Sequence, residues 1–336
     1  MISSSRTGRV ARPRWRRIRA PATGALLAAC LAFGVGADGP DDDDDSREPV
    51  EKHAVRLGWR APVEGAVVSI RFENSRSVDL VLRAGARTVH RENGKLTLGF
   101  EMTQQVTRVR GGCIAEERRV FHRARYRDRE GEGDLPLTGR SVLVTRRPDG
   151  RVDVVYENDQ PVPKMRTGAM VVALGEHELS TALEPDAPVA VGETWKLDTH
   201  AMARAFFGQP TEQEQAEQEA AALDLSAATA EATLVDAGRH DGVLLGTVEI
   251  RIVMPVTRLG ALVLDRPLSC RITLRYTGCI DGSRPDCSIE ARSVMKGSRQ
   301  IETPDGERLD VEMDVRTRVA GESSMQPNGS APGRVY

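Results

Sequence analysis

Apolar and polar residues alternate over long stretches of this 336-residue chain, and this pattern constrains its fold more than any other feature. Successive side chains of a β-strand point to opposite faces, so a period of two indicates strands with one apolar face. The alternating apolar positions are Ala66, Val68, Ile70 and Phe72, resuming at Val78, Leu80 and Leu82; Leu96, Leu98, Phe100, Met102 and Val106; Val248, Ile250, Ile252, Met254 and Val256; Leu268, Cys270, Ile272, Leu274 and Tyr276; and Leu309, Val311, Met313 and Val315. The pattern predicts antiparallel strands with one buried and one solvated face.

Two hairpins are indicated by Pro-Asp-Gly triplets at residues 148–150 and 304–306, where Pro presets the turn and Gly supplies a positive φ. We expect a mainly β fold, in which long antiparallel meander strands form a curled sheet, a sandwich or a half-barrel. The β-rich domain spans residues 55–320. It has two coupled halves, about 55–160 and 226–320, joined by a connection with short helices over 161–225. Residues 321–336 are predicted to be a flexible tail.

The N-terminus has the three parts of a secretory signal peptide over residues 1–37. Seven arginines and no acidic residue precede the short apolar segment 25–33, and Val35-Gly36-Ala37 then offers small side chains for cleavage before Asp38. An alternative cleavage site is Leu27-Ala28-Ala29-Cys30, which resembles the lipobox of bacterial lipoproteins and makes Cys30 a lipidation site. Either cleavage predicts export to the periplasm or the cell surface of a bacterium.

Removal of the signal peptide leaves 40 basic and 49 acidic residues in the mature chain. The run Asp41–Asp45 belongs to a predicted acidic tether, residues 38–54, and the folded part is close to neutral. A nucleic-acid partner is not expected because there is no concentrated basic excess. Contact with a membrane is expected only through a lipid anchor.

Four cysteines remain in the mature chain, and an even number in an exported protein favours disulfides. The turn-rich segment "CIDGSRPDC" suggests a bridge between Cys279 and Cys287, which leaves Cys113 for Cys270. Spacing alone leaves the other two pairings open. No Cys-x2-Cys motif or nearby histidine indicates zinc, and neither a metal nor a cofactor is predicted.

The segment "PVAVGETWKLD", residues 188–198, resembles the V-x-V-G-[DE]-[ST]-W segment of exported bacterial β-rich domains of unknown function, which are often lipoproteins. The overall plan is also similar: signal peptide, β meander, short helical connection, V-G-x-x-W strand and second meander. The resemblance implies no activity and no catalytic residues. In structural terms, Val189 begins a strand, Gly192 allows a bend and Trp195 is an apolar anchor.

The candidate ligand-binding residues are Arg119, Arg123, Arg125 and Arg127, which share one face if residues 116–130 form a regular strand. Such a row fits an anionic lipid or an acidic envelope polymer. The alternative is a solvated face neutralised by acids of neighbouring strands, such as Glu101. No catalytic residue is predicted. We expect a non-enzymatic envelope protein that binds a ligand or envelope partner; the alternatives are a scaffold that assembles through edge strands, or a hydrolase using His122 or His177.

Overall fold

The alternating segments of the sequence form long β-strands, as expected. The computed structural model describes residues 51–147, 152–158, 182–200, 202, 224, 226–259, 262–302, 306 and 308–326. In chain order the strands are β1 (Lys52–His53), β2 (Val67–Ala84), β3 (Arg87–Arg110), β4 (Cys113–Arg127), β5 (Glu132–Asp134), β6 (Arg140–Arg146), β7 (Val152–Tyr156), β8 (Val189–Ala190), β9 (Thr194–Lys196), β10 (Thr229–His240), β11 (Val243–Leu259), β12 (Leu262–Cys279), β13 (Cys287–Glu302) and β14 (Arg308–Met325). The mainly β fold class is confirmed.

Twelve of these strands form one antiparallel sheet in the order β7-β6-β4-β3-β2-β14-β13-β12-β11-β10-β9, with β5 paired to β4. The two predicted halves are parts of this same sheet, because β2 of the first half pairs along its whole length with β14 of the second. Both predicted hairpins are present as the strand pairs β6–β7 and β13–β14. Gly306 has the expected positive φ of 77°.

The sheet has one buried and one solvated face. The buried face, called the inner face here, carries the even-numbered residues of β2, β11 and β12 and the odd-numbered residues of β13 and β14. Nearly all the apolar residues predicted to face inward on these strands are buried there. On the outer face, exposed charges of neighbouring strands pair with each other, as in Arg83–Glu312 (2.9 Å), Lys296–Asp314 (3.6 Å) and Arg318–Glu290 (3.6 Å).

One end of the inner face is closed by the segment that follows β12. Ile280 is fully buried and folds back over Gly246, where an added Cβ would lie only 2.6 Å from Ile280 Cδ1. The Ile280 backbone accepts a hydrogen bond from Arg56 N (2.7 Å) and donates one to Leu244 O (2.9 Å). The chain before β2 therefore packs against the β12–β13 connection and covers this end of the core.

The signal peptide, Cys30 and most of the acidic tether lie outside the described residues, as does most of the helical connection 161–225. β14 extends to Met325, five residues into the predicted tail, because Gly321 and Ser323 continue its pairing with both β2 and β13. In the part of the chain that the structure describes, no helix is long and apolar enough to cross a membrane.

Candidate functional site

A group of polar residues interrupts the apolar inner face about halfway along the strands. Arg76 of β2 lies directly opposite Thr317 of β14, and Thr317 lies directly opposite Ser293 of β13. Asn74 lies two positions before Arg76 and therefore on the same face. Side chains directly opposite each other in antiparallel strands have Cβ atoms about 5 Å apart. Asn74, Arg76, Ser293 and Thr317 thus form one cluster across three adjacent strands, called the inner polar cluster below.

The inner polar cluster contains buried polar atoms without a hydrogen-bond partner. Asn74 is 9% exposed and Thr317 is 3% exposed. Asn74 Oδ1, Arg76 Nε and Thr317 Oγ1 are all buried and have no hydrogen-bond partner among the residues that the structure describes. An unsatisfied buried polar atom costs roughly 1–3 kcal/mol, and most such atoms in folded proteins are satisfied. The three atoms in one cluster therefore leave hydrogen-bonding capacity that water or a ligand would satisfy.

The surroundings of the cluster are apolar along the strands but open toward β3. The rows on either side of it are Val78, Val315, Met295, Cys270 and Met254 in one direction, and Val319, Ala291, Leu274 and Ile250 in the other; all nine are buried. Leu96 of β3, directly opposite Arg76, is 41% exposed. The cluster is thus a polar position within the buried apolar face, with solvent near its β3 side.

Arg76 is the charged member of the cluster. Burial lowers the pKa of its guanidinium, and the charge of Glu92 on β3 partly opposes that effect. Glu92 lies opposite Leu80, not opposite Arg76, and no residue in the described ranges forms an ion pair with Arg76. Within the described residues the guanidinium is therefore a partly buried charge without a carboxylate at ion-pair distance, although Glu92 lies on the same face.

A second polar group on the inner face is satisfied within the protein. Arg119 of β4 is 1% exposed, and its Nε donates to Glu117 Oε1 over 2.6 Å. Gln104 of β3, directly opposite Arg119, donates to the other oxygen of the Glu117 carboxylate. Arg119 thus has a buried carboxylate partner, which Arg76 lacks. This arrangement is that of a structural ion pair.

The predicted row of four arginines on β4 is wrong in one respect, because a β-bulge divides it. Phe121 pairs with Met102 while Arg123 pairs with Glu101, so His122 is the extra residue. The bulge shifts the side-chain alternation by one position. Arg119 therefore faces the core, and Arg123, Arg125 and Arg127 face solvent.

Each exposed arginine of that row has an acidic neighbour. Arg123 Nη1 lies 3.5 Å from Glu101, Arg125 Nε lies 3.2 Å from Asp134, and Arg127 Nε lies 3.0 Å from Glu132. Glu101 is the residue named as a neutralising partner from the sequence. The structure therefore has the geometry of the solvated, neutralised face that was the alternative to a binding row.

The two predicted disulfides are absent from the structure, in which the four described cysteines form no disulfide with one another. Cys113 lies beside the β3–β4 turn, whereas Cys270 lies on the inner face opposite Met254 and Met295. Cys287 pairs with Gly278 and not with its neighbour Cys279. The two thiols therefore have separate partners: Cys279 Sγ contacts Asp281 Oδ1 (3.1 Å) and Cys287 Sγ contacts Ser323 Oγ (3.1 Å).

The loop after β12 is organised by Asp281. Its carboxylate accepts hydrogen bonds from Leu244 N (3.0 Å) and Ser283 N (2.9 Å) as well as from the Cys279 thiol. Burial alone would raise the pKa of this carboxyl group, but these hydrogen bonds outweigh it, and the pKa is lowered well below its ordinary value.

The histidines proposed for a hydrolase do not form a site in the described residues. His122 is exposed at the bulge, and its Nε2 lies 2.5 Å from Thr103 Oγ1. His177 lies outside the described residues. Within the described ranges, no group of three or more histidine, cysteine or acidic side chains is placed to hold a metal ion.

The V-G-x-x-W segment has the local geometry expected from its sequence. Gly192 has a φ of 83°, and Glu193 N donates to Ala190 O (3.0 Å) in a tight turn between β8 and β9. Trp195 packs against the core, and its Nε1 donates to Leu183 O (3.1 Å). The segment anchors the β9 edge of the sheet.

No family model and no curated protein matches this chain. Among solved structures, it is similar to lipovitellin (11% identity, TM-score 0.30), of which it spans about a quarter: the match covers 82% of this chain and 26% of that one. It is also similar to an outer membrane channel from Pseudomonas putida F1 (10% identity, TM-score 0.19, 79% and 98% covered). A third match is DynF from the dynemicin biosynthesis pathway of Micromonospora chersina (10% identity, TM-score 0.17, 86% and 94% covered). Similarities at this level carry no inference about function.

Proposed function

We propose that this protein is an exported, envelope-located protein that binds an amphipathic ligand on the inner face of its sheet, and that it acts by binding and not by catalysis. The N-terminal sequence of basic, apolar and small residues supports export. The observation that carries the binding proposal is the inner polar cluster, whose unsatisfied atoms lie on the otherwise apolar inner face and beside the exposed Leu96 of β3.

The arrangement suits an amphiphile for a physical reason. Ligand sites in proteins are mostly apolar, with a few polar groups that fix the orientation of the ligand. The polar end of such a ligand can reach Arg76 and Thr317 from the β3 side, where its apolar chain lies against Leu96, which is 41% exposed. Asn74 Oδ1 is an acceptor and needs a separate donor, such as water. Each satisfied atom recovers part of the free energy that its burial costs.

The test is binding of a fluorescent fatty acid to protein purified from the envelope fraction of an expressing bacterium. We expect saturable binding that unlabelled dodecanoic acid displaces. Ser293→Phe, which adds a bulky ring within the cluster, should weaken binding at least tenfold. Ser298→Phe is the matched control, because Ser298 lies on the outer face of the same strand β13.

A second variant keeps the test informative if Ser293→Phe fails to fold. Thr317→Val has nearly the same shape as the wild type and removes only the hydroxyl, so it should fold and bind the fatty acid several-fold more weakly. Absence of saturable binding to the wild-type protein would overturn the proposed function. So would equal affinities of the Ser298→Phe protein and both inner-face variants.

A further inference from the structure

The chemistry of the inner polar cluster indicates which kind of headgroup it takes. Arg76 contributes a guanidinium, which stays protonated in proteins and only donates hydrogen bonds. Its Nε has no partner, and no acidic side chain in the described ranges pairs with it. A partly buried cation in this position is stabilised most by an anion that enters with the ligand.

The neighbouring residues add hydrogen-bond donors. The hydroxyl of Thr317, directly opposite Arg76, is buried and unpartnered, and the Ser293 hydroxyl lies on the next strand in the same row. Hydroxyl groups and a guanidinium on one face are suitable donors for the oxygens of a carboxylate or a phosphate. Arg119, the other buried arginine on this face, is not available for this role because Glu117 already neutralises it.

The lowered pKa of Arg76 is consistent with this argument, because it expresses the cost of burying the charge. Glu92 offsets that cost only in part, since it lies along β3 and not opposite Arg76. The open side of the cluster is apolar at Leu96 of β3, which is 41% exposed, so the anion is expected to be one end of a longer apolar molecule.

We infer that the inner polar cluster binds the anionic headgroup of an amphiphile, a carboxylate or a phosphate, with Arg76 as the residue that selects its charge. This inference rests on the proposed function and specifies its ligand. The cluster should therefore bind a fatty acid or a lipid phosphate more tightly than a neutral lipid of the same chain length.

The experiment compares dodecanoic acid, dodecyl phosphate and dodecanol as competitors of the fluorescent fatty acid at neutral pH. The three share one apolar chain and differ in the headgroup. We expect at least one of the two anions to compete at least tenfold more strongly than dodecanol. In Arg76→Met the preference over dodecanol should fall to about twofold or less.

Arg71→Met is the matched control, since Arg71 lies on the outer face of the same strand and its side chain is exposed. This variant should keep the full preference for the anion. Acetate and inorganic phosphate, added at the same concentrations, should not compete, because they lack the apolar chain.

Each alternative result has a distinct meaning. If dodecanol competes as well as the two anions, the headgroup inference is overturned while the proposed function stands. The inference also fails if Arg76→Met keeps the preference, or if inorganic phosphate competes as strongly as dodecyl phosphate. If none of the three amphiphiles binds, both the inference and the proposed function are overturned.

Discussion

Arg76 and Arg119 both lie on the inner face of this sheet, and their surroundings differ. Arg119 on β4 shares the carboxylate of Glu117 with the Gln104 amide, so the charges and the hydrogen bonds are satisfied within the protein. Arg76 on β2 has an unpartnered Nε, and two other unpartnered polar atoms lie near it on β2 and β14. The first arrangement stabilises the fold, whereas the second is expected to be completed by a ligand.

Replacement of the two arginines should therefore change the free energy of unfolding by very different amounts. Arg119→Met leaves the Glu117 carboxylate buried without its cation and should lower the free energy of unfolding by about 3–5 kcal/mol. Arg76→Met removes an unsatisfied donor and should leave that free energy unchanged or slightly higher. Urea denaturation of both variants measures the difference. Equal destabilisation by the two substitutions would show that Arg76 is also a structural residue.

Cys270 and Cys113 also differ in burial, and this difference should appear in their rates of alkylation. Burial raises the pKa of Cys270 to about 11, whereas Cys113 lies partly exposed beside a turn. Because the thiolate is the reactive form, iodoacetamide at pH 8 should alkylate Cys270 of the folded protein at least about 100-fold more slowly than Cys113. Mass spectrometry of the labelled peptides gives both rates. Cysteines that resist labelling even after denaturation without a reductant would indicate the disulfides predicted from the sequence.

Substitution of Asp281 measures how much the loop that closes one end of the inner face contributes to stability. Asp281→Asn should lower the free energy of unfolding by roughly 1–2 kcal/mol at pH 7, because charge-assisted hydrogen bonds to the loop and to Leu244 are weakened. The folded-state pKa is below the unfolded value of about 4, so this contribution is present above pH 4 and is lost as the pH falls below it.

The difference between wild type and Asp281→Asn should therefore shrink from pH 7 to pH 3 in urea denaturation. Asp314→Asn on the outer face is a suitable control, since the pKa of Asp314 is lowered mainly by its hydrogen bond to the exposed Arg316, and it should show a smaller effect. A pH-independent difference at Asp281 would contradict the proposed cause.

The outer arginines should show the smallest effects. Arg123→Gln, Arg125→Gln and Arg127→Gln each break an exposed ion pair, which contributes at most about 1 kcal/mol. The triple variant should bind dodecanoic acid with wild-type affinity. The contrary result is a triple variant that loses binding to anionic vesicles or acidic polymers while its melting temperature stays unchanged. That result would support the ligand-binding role predicted for these arginines from the sequence.

The sequence predicted the fold better than the candidate site, and the reason is physical. A period of two survives in every strand whose apolar face is buried, so the inward positions from Val68 to Val315 could be assigned from the sequence. Asn74 and Arg76 lie at the alternate positions between Phe72 and Val78, so they face the same side of β2 as these two apolar residues. Because the apolar alternation resumes in the same register after Asn74 and Arg76, the sequence indicates that β2 is continuous and that these two side chains face inward.

Two other features could not be derived from alternation. The bulge at His122 separates Arg119, on the inner face, from Arg123, Arg125 and Arg127 on the outer face, and it is a feature of the pairing between β3 and β4. The pairing of β2 with β14 joins residues far apart in the sequence, so the neighbours Thr317 and Ser293 of Arg76 appear only when the sheet is assembled.

The most direct test of the central claim is a crystal structure of the protein with a fatty acid brominated at the end of its chain. Anomalous scattering locates the bromine without assumptions about the rest of the ligand. We expect a bromine peak on the inner face, beside Arg76, Thr317 and Ser293, with the carboxylate within hydrogen-bond distance of Arg76. A bromine peak only on the outer face, or a ligand carboxylate that contacts Arg123, Arg125 or Arg127 instead of Arg76, would contradict that claim.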